Sequence, residues 1–483
     1  MMSHSSFSRR TFLKQASIAA STLLAESTMT FAENSNHTRK NVLFIIVDDL
    51  RTQLNCYDRS QIISPNIDRL AAQGFMFNRA YCQVPVCGAS RASLLTGIRP
   101  DNAHGQFRSY HTWAEKDVPK ADSVAKHFLS NGYETISNGK IFHHQQDSAE
   151  SWSKPPWRVY DYQNPEGEDW AAYNFDKIWL DPKSRKHISK KGRGPFYEAA
   201  DVPDEAYEDG KVADKTIKDL KRLSKSDKPF FLACGFSRPH LPFNAPKKYY
   251  DLYDPQKIKL AENRFSIKNK PNECRNSGEV LSYSQTQGWA EKEEFHRKAL
   301  HGYYACVSYV DALIGRILDE LKAQGQDKNT IVMVLGDHGW HLGEHNFWGK
   351  HNTLNNALHS PLIIRTPDKL EKHSTDALVE FVDIYPSLCE LAGLPYPKTH
   401  QLEGLSFAPL IKNPELKWKQ AAYSEWGTGR AVKTDRYLYT EWKNGSKMLY
   451  DHIADPHENV NIASNPACES IVKYHHALLK KIY

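Results

Sequence analysis

The stretch Val42-Leu43-Phe44-Ile45-Ile46-Val47-Asp48-Asp49 decides the fold class. Six consecutive apolar residues lack the alternation of a strand with one wet face and fit a strand covered on both sides, as in parallel α/β sheets. The run ends in two acids. Ligands of such sheets gather beyond the carboxyl ends of the strands, so adjacent carboxylates at that point suggest a metal site. The same texture returns in Phe230–Phe236, which leads into Ser237-Arg238-Pro239-His240-Leu241-Pro242-Phe243. It returns again from Thr330 to Leu335, before Gly336-Asp337-His338-Gly339-Trp340, Gly343-Glu344-His345 and Lys350. Asp48, Asp49, Asp337 and His338 can therefore converge. Three carboxylates and one further ligand suit a hard divalent cation, calcium above all. A structural zinc would recruit cysteines or more histidines.

Between these strands lie helix patterns, which makes the organisation alternating βα. Ser64-Pro65-Asn66-Ile67-Asp68 reads as a helix start, with a capping serine and a proline in the first turn, and Gly74 closes it. A helix from Asp122 to Ser130 precedes a short strand from Tyr133 to Ile136 and then Gly139-Lys140-Ile141-Phe142-His143-His144. Phe295 to Gln324 carries a long helix-period apolar stripe and reads as scaffold. Val379 to Leu391 reads as a further helix ending near Gly393, and short strand-like runs follow at Tyr423–Trp426, Ala431–Lys433, Tyr437–Tyr439 and Met448–Tyr450. Residues 146–210 lack sustained periodicity and hold Trp152, Trp157, Trp170 and Trp179. Stacking on sugar rings and simple loop anchoring are equally open for them.

A second stretch carries the chemistry: Val86-Cys87-Gly88-Ala89-Ser90-Arg91-Ala92-Ser93-Leu94-Leu95-Thr96-Gly97. Pro85 and Val86 read as extended, Ala89 to Leu95 as helical, and Gly97 as a left-handed terminator. Cys87 then sits at a helix N-terminus, where free N–H groups and the macrodipole favour an anion. Arg91, four residues on, shares its face.

Composition narrows the class. A chain of 483 residues exceeds a single growing core, so a large domain with a smaller one is expected. The net charge of +6 is too modest to argue for nucleic acid, and no apolar run is long enough to span a bilayer. Eight cysteines are scattered without zinc-type spacing, and seven remain once Cys87 is set aside, so a full disulfide framework is not implied.

Cys-x-Ala-Ser-Arg followed by Thr96-Gly97 resembles the signature of the type I sulfatases, and three further motifs follow in family order. The resemblance implies an alkaline-phosphatase/sulfatase-like α/β fold. A mixed, largely parallel sheet would be flanked by helices over residues 33–412, with a smaller C-terminal antiparallel-sheet subdomain over 413–483. It also implies that Cys87 is oxidised to formylglycine by a maturation enzyme. The hydrated aldehyde offers one hydroxyl to attack sulfur and a second that later expels sulfate. By the same resemblance an oxygen of modified Cys87 joins Asp48, Asp49, Asp337 and His338 around Ca2+. Arg91 and Lys140 hold the formylglycine and sulfate oxygens, and Lys350 contacts the sulfate. His143 deprotonates the gem-diol, and His240 protonates the leaving alcohol. His144 is the neighbour to exclude.

Gly-Lys-Ile-Phe-His, Pro-His-Leu-Pro-Phe and the Asp337-His338 pair most resemble iduronate-2-sulfatases and their bacterial relatives, which implies a sulfated uronate-containing oligo- or polysaccharide as substrate. Ala89 stands where many members have proline, and His144-Gln145 where iduronate-2-sulfatases often have Pro-Gly. Galactan-type, ulvan-type or aryl sulfates therefore stay open as substrates, as does non-catalytic glycan binding. The N-terminal Ser8-Arg9-Arg10-Thr11-Phe12-Leu13-Lys14, the apolar run Ala16–Ala25 and Thr30-Phe31-Ala32 resemble a twin-arginine signal peptide over residues 1–32. That implies use of the twin-arginine export machinery, a periplasmic or secreted protein, and no stable membrane insertion after cleavage.

Overall fold

The computed structural model describes residues 39–59, 61–101, 104–159, 178–188, 193–286, 289, 292–367 and 373–483. The residues 1–32 read as an export segment, and Trp170, lie outside the described residues. Lys40–Tyr483 form one compact unit. Its frame comprises β1 (Asn41–Val47), α1 (Pro65–Ala72), β2 (Phe75–Phe77), α2 (Cys87–Thr96), α3 (Val124–Ser130), β3 (Glu134–Gly139), α4 (Glu208–Leu223), β4 (Phe230–Phe236), α5 (Glu293–Ala323), β5 (Thr330–Gly336), β6 (Leu362–Arg365) and β7 (His373–Thr375). These strands form one sheet in the order β7-β2-β6-β5-β1-β4-β3. The pairings are parallel except those of β6, which runs against β2 and β5.

All seven residues of β1 are buried, as its unbroken apolar run requires. Its side chains alternate between two cores. Leu43, Ile45 and Val47 meet residues of α1, α4 and α5, such as Leu70, Val212, Tyr303 and Ile314. Val42, Phe44 and Ile46 meet Leu94 of α2 and Phe128 of α3, together with Ile384 and Leu388 of α6 (Ile384–Ala392). The result is a three-layer helix–sheet–helix sandwich.

Strand register sets the site. Val47 lies opposite both Phe236 and Gly336, and Gly139 lies opposite Gly235. Strands β5, β1, β4 and β3 therefore end at one level, and the loops beyond them share one edge. At that edge Gly139 has φ +76°, and a Cβ on Gly235 would run into the Lys140 carbonyl. Only glycine lets the main chains approach so closely.

Several local expectations shift. Helix α1 has Pro65 in its first turn, but the Ser64 side chain does not cap it. The N–H groups of Asn66 and Ile67 donate instead to Asp311 of α5, at 3.1 and 2.7 Å. A carboxylate from across the core thus does what a local hydroxyl was expected to do. The helix read from Val379 begins only at Ile384, because Val379–Glu380 pairs as a strand and Phe381–Asp383 forms a 3-10 turn with a capping box. Strand β3 runs on to Gly139, past Ile136. Trp152 and Trp179 are buried, and the Trp179 indole N–H donates to the Pro195 carbonyl at 3.0 Å, so both anchor loops. Trp157 is half-buried, and its main chain pairs beside β3.

The C-terminal texture is a four-stranded antiparallel meander: β8 (Ala422–Trp426), β9 (Gly429–Lys433), β10 (Tyr437–Trp442) and β11 (Lys447–Asp451). Helix α7 (Glu469–Ile482) packs Val472, Leu478 and Leu479 against Val432, Tyr439 and Leu449. Among the described residues no helix is long and apolar enough to cross a membrane.

Candidate active site

Helix α2 opens at Cys87 after an extended Val86 (φ −158°, ψ 136°) and closes at Gly97 (φ 68°), whose N–H donates to the Ser93 carbonyl at 2.8 Å. All ten of its residues are buried, which the helix can tolerate because its polar side chains find partners inside the fold. A Cβ on Gly88 would lie 2.5 Å from the Tyr110 carbonyl oxygen and 2.7 Å from that of Ser109. Glycine is therefore needed for the Ser109–Tyr110 main chain to cross the first turn. Cys87 itself is 3 % exposed, at the floor of the shared edge. Burial works to raise its thiol pKa, but the Lys140 ammonium and other neighbouring charge bring it down to about 7.

Arg91 reaches from the same helix face into the acids. Its Nε–H donates to Asp337 Oδ2 at 2.8 Å, Nη2 lies 3.4 Å from Asp48 Oδ1, and Nη1–H donates to the carbonyls of Lys140 and Ile141. The Asp48 and Asp337 side chains are fully buried. The Lys140 ammonium also pairs with Asp48. Burial tends to raise the pKa of Asp48, yet Lys140, His240 and Arg91 together hold it well below the usual carboxylate range. Burial and the neighbouring acids push Asp49 well up despite Lys350, and burial and Asp48 push Asp337 up despite Arg91.

One ligand atom from each of Asp48, Cys87, Asp337 and His338 can be chosen so that all lie within 4.8 Å of one another. His338 Nδ1 faces the Gly339 carbonyl at 3.0 Å, while its buried Nε2 makes no hydrogen bond among the described residues. An orphaned imidazole nitrogen beside two buried carboxylates is an arrangement that a cation completes. Asp49 adjoins this group. Its N–H donates to Asp337 Oδ1 at 3.1 Å, its Oδ1 lies 3.4 Å from His338 Nε2, and its carboxylate takes the Lys350 ammonium at 2.8 and 3.1 Å.

The remaining expected residues ring this floor. His143 follows the Lys140–Ile141 carbonyls that hold Arg91. Its Nδ1 has no hydrogen-bond partner among the described residues, and burial with the Lys140 and Arg158 charges holds its pKa well below the ordinary value. The ring is thus neutral and has a free lone pair. His144 stacks on Trp113 at 4.4 Å and packs rather than joining the site. His240 lies 4.0 Å from Asp49 Oδ2, its Nδ1 facing the Leu241 carbonyl at 2.7 Å.

Two residues escaped the sequence reading. Glu279 sits 3.1 Å from both His240 Nε2 and Lys350 Nζ. The Asp209 carboxylate accepts the N–H groups of Ser237 and Arg238 at 2.7 and 2.8 Å and shapes the loop that carries His240. Glu279 lies in a segment without periodicity, and Asp209 looks like an ordinary first-turn acid of α4, so neither carried a signal.

With this geometry in view, the likeness to known proteins is extensive. The family described as Sulfatase matches residues 40–394, and the one described as N-sulphoglucosamine sulphohydrolase, C-terminal, matches 343–483. A sulfatase of Formosa agariphila is 32% identical over 92% of this chain and 87% of its own length. Human iduronate 2-sulfatase is 33% identical over 75% of this chain and 71% of its own. The solved structure of a 2-O GAG sulfatase superposes with a TM-score of 0.69 at 24% identity, covering 92% of each chain, which establishes the shared fold. The buried Cys87 helix, the acids at the ends of β1 and β5 and the family match over most of the chain lead to one conclusion: this chain belongs to the sulfatase family and is a sulfatase.

Proposed function

We propose that this sulfatase removes sulfate from sulfated saccharides that contain uronate, working on the ester through residue 87 in its formylglycine form. The observation that carries the reading is the buried Asp48–Cys87–Asp337–His338 group with Arg91 bound into it. The choice of sugar rests on relatives named for iduronate and for 2-O sulfation.

Formylglycine would supply a hydrated aldehyde with two hydroxyls, one to attack sulfur and one to reform the carbonyl as sulfate leaves. The Cys87 Sγ marks the place of those oxygens. Asp48, Asp49, Asp337 and His338 would hold Ca2+ there, which supplies Lewis-acid charge for the sulfate and aldehyde oxygens. Arg91, Lys140 and Lys350 give fixed positive charge where negative charge builds as the S–O bond breaks. His143, neutral and with a free ring nitrogen, takes a proton from the hydroxyl of residue 87 in the release step. His240 gives one to the departing sugar oxygen. Export by the twin-arginine route and maturation of Cys87 before use belong to the same reading.

The test is inorganic sulfate released from defined uronate-2-sulfated, galactan and aryl sulfates, with mass spectrometry of the peptide carrying residue 87. Selective release from the uronate disaccharide is expected. Chelation should stop it and added calcium should restore it. Release only from another sugar would keep the chemistry and discard the uronate assignment.

A further inference from the structure

The cation and the proton donor of the pocket wall meet on one carboxylate. Glu279 Oε1 is 3.1 Å from His240 Nε2, and Glu279 Oε2 is 3.1 Å from Lys350 Nζ. This is not a mobile surface pair. The side chains of Glu279 and Lys350 are 16% and 2% exposed. The Glu279 N–H donates to Ser277 Oγ at 3.3 Å, and that hydroxyl lies 2.9 Å from His351 Nδ1, next to Lys350. A Cβ on Gly349 (φ +118°) would come 2.5 Å from Ser277 Cβ, so the two segments pack main chain against side chain. The wall that carries Glu279 is thus docked directly on the segment that carries Lys350.

We propose that Glu279 is a positioning residue that holds the His240 ring and the Lys350 ammonium in one array, so that proton donor and sulfate-binding charge meet the ester together. This rests on the roles given to His240 and Lys350 above. The Leu241 carbonyl can only accept, so Nδ1 carries a proton and fixes one edge of the ring. On the other edge the Glu279 carboxylate lies 3.1 Å from Nε2 and its charge steadies the ring. As sulfur bonds to the oxygen of residue 87, the S–O electron pair passes to the sugar oxygen. That oxygen takes the proton from Nε2. A ring free to turn about its side-chain bonds would spend less time in line with that oxygen.

The experiment is a double-mutant cycle on a saccharide sulfate that the mature wild-type enzyme hydrolyses, using Glu279→Gln, His240→Asn and both together, with thermal unfolding as a check on folding. Glu279→Gln should lower kcat by about tenfold or more with a smaller change in KM, a part of what a general acid contributes. In the His240→Asn background it should cost clearly less than in the wild type, leaving only the part that acts through Lys350. Independent, multiplicative losses, or an unchanged kcat, would overturn the proposal. If Glu279→Gln fails to fold, Glu279→Asp carries the same cycle. No sulfate release by wild-type enzyme bearing formylglycine would instead overturn the functional reading, and with it the positioning role that rests on it.

Discussion

Two clusters of buried charge stand in this molecule, and they differ in whether their polar atoms are satisfied. Under the C-terminal sheet, Glu380 receives Arg99 at 2.6 and 2.7 Å, Lys419 at 2.8 Å and the Tyr423 N–H at 2.9 Å. Asp383 takes the Glu380 N–H at 2.9 Å, the Leu405 N–H at 2.7 Å and the Lys419 ammonium. Every oxygen there has a partner. At the carboxyl edge of the large sheet, burial is just as complete, yet His338 Nε2 and His143 Nδ1 are left without hydrogen bonds among the described residues. A closed cluster spends its charges on the fold. An open one holds them for something that arrives later.

The contrast can be broken by showing that the two clusters fail in the same way. The largest expected effect is Cys87→Ala, which should abolish sulfate release while the protein unfolds at nearly the wild-type temperature. Cys87→Ser should at best turn over feebly. Near-normal activity in either would remove residue 87 from the chemistry. Next comes His240→Asn, expected to cost about 10²–10⁴ in kcat on sugar sulfates, the usual share of a general acid, and much less on aryl sulfates, whose phenolate leaves without help. Equal losses on both substrates would deny it that role.

The closed cluster should answer in the other currency. Glu380→Ala strands Arg99 and Lys419 in the interior and should cost about 3–5 kcal/mol of stability, as broken buried ion pairs do. Denaturant unfolding measures that loss, and the kcat of the folded fraction should hold. The smallest effect sharpens the same point at a closed uncharged group. His359 is half-buried, its Nε2 bonded to the Asn78 carbonyl at 2.8 Å, and loss of water around the ring brings its pKa from 6.5 down to about 4. The unfolded chain takes up this proton near its ordinary pKa, the folded one only near 4. The unfolded state thus binds more protons between those values, and stability falls as pH drops through that window. The contribution is up to about 3 kcal/mol. Urea unfolding at pH 7 and pH 4.5 should show a smaller fall in His359→Gln than in the wild type.

What could be read from the chain and what could not divide along the same line. Asp48, Asp49, His240 and Asp337 each follow an apolar run, Lys140 follows a short strand of mixed polarity and was marked by the Gly-Lys-x-x-His resemblance, and a parallel sheet carries the ends of its strands to one edge whatever lies between them. Cys87 and Arg91 were legible through the Cys-x-Ala-Ser-Arg resemblance, and helix geometry adds only that positions four apart share one face. Glu279, Asp209 and Asp311 act across the fold, through the reach of one side chain onto the main chain or side chain of a distant segment. No local period encodes that. Ser64 is the instructive miss: its type and place suit a cap, but the Asp311 carboxylate arrives from α5 and takes the donors first. Val379 misled in the opposite way, since an apolar pattern of helical period continued across a capping box formed by Glu380 and Asp383.

The bond from the Asp49 N–H to Asp337 closes a loop of 288 residues. Joining partners so far apart along the chain has a chain-entropy cost that must be met before the contact rewards it, and topologies rich in such contacts fold slowly. No amino-terminal fragment ending before Asp337 can therefore contain the acid cluster, however well its own strands pair. For this chain, the appearance of activity during refolding is a clock for closure of the central sheet.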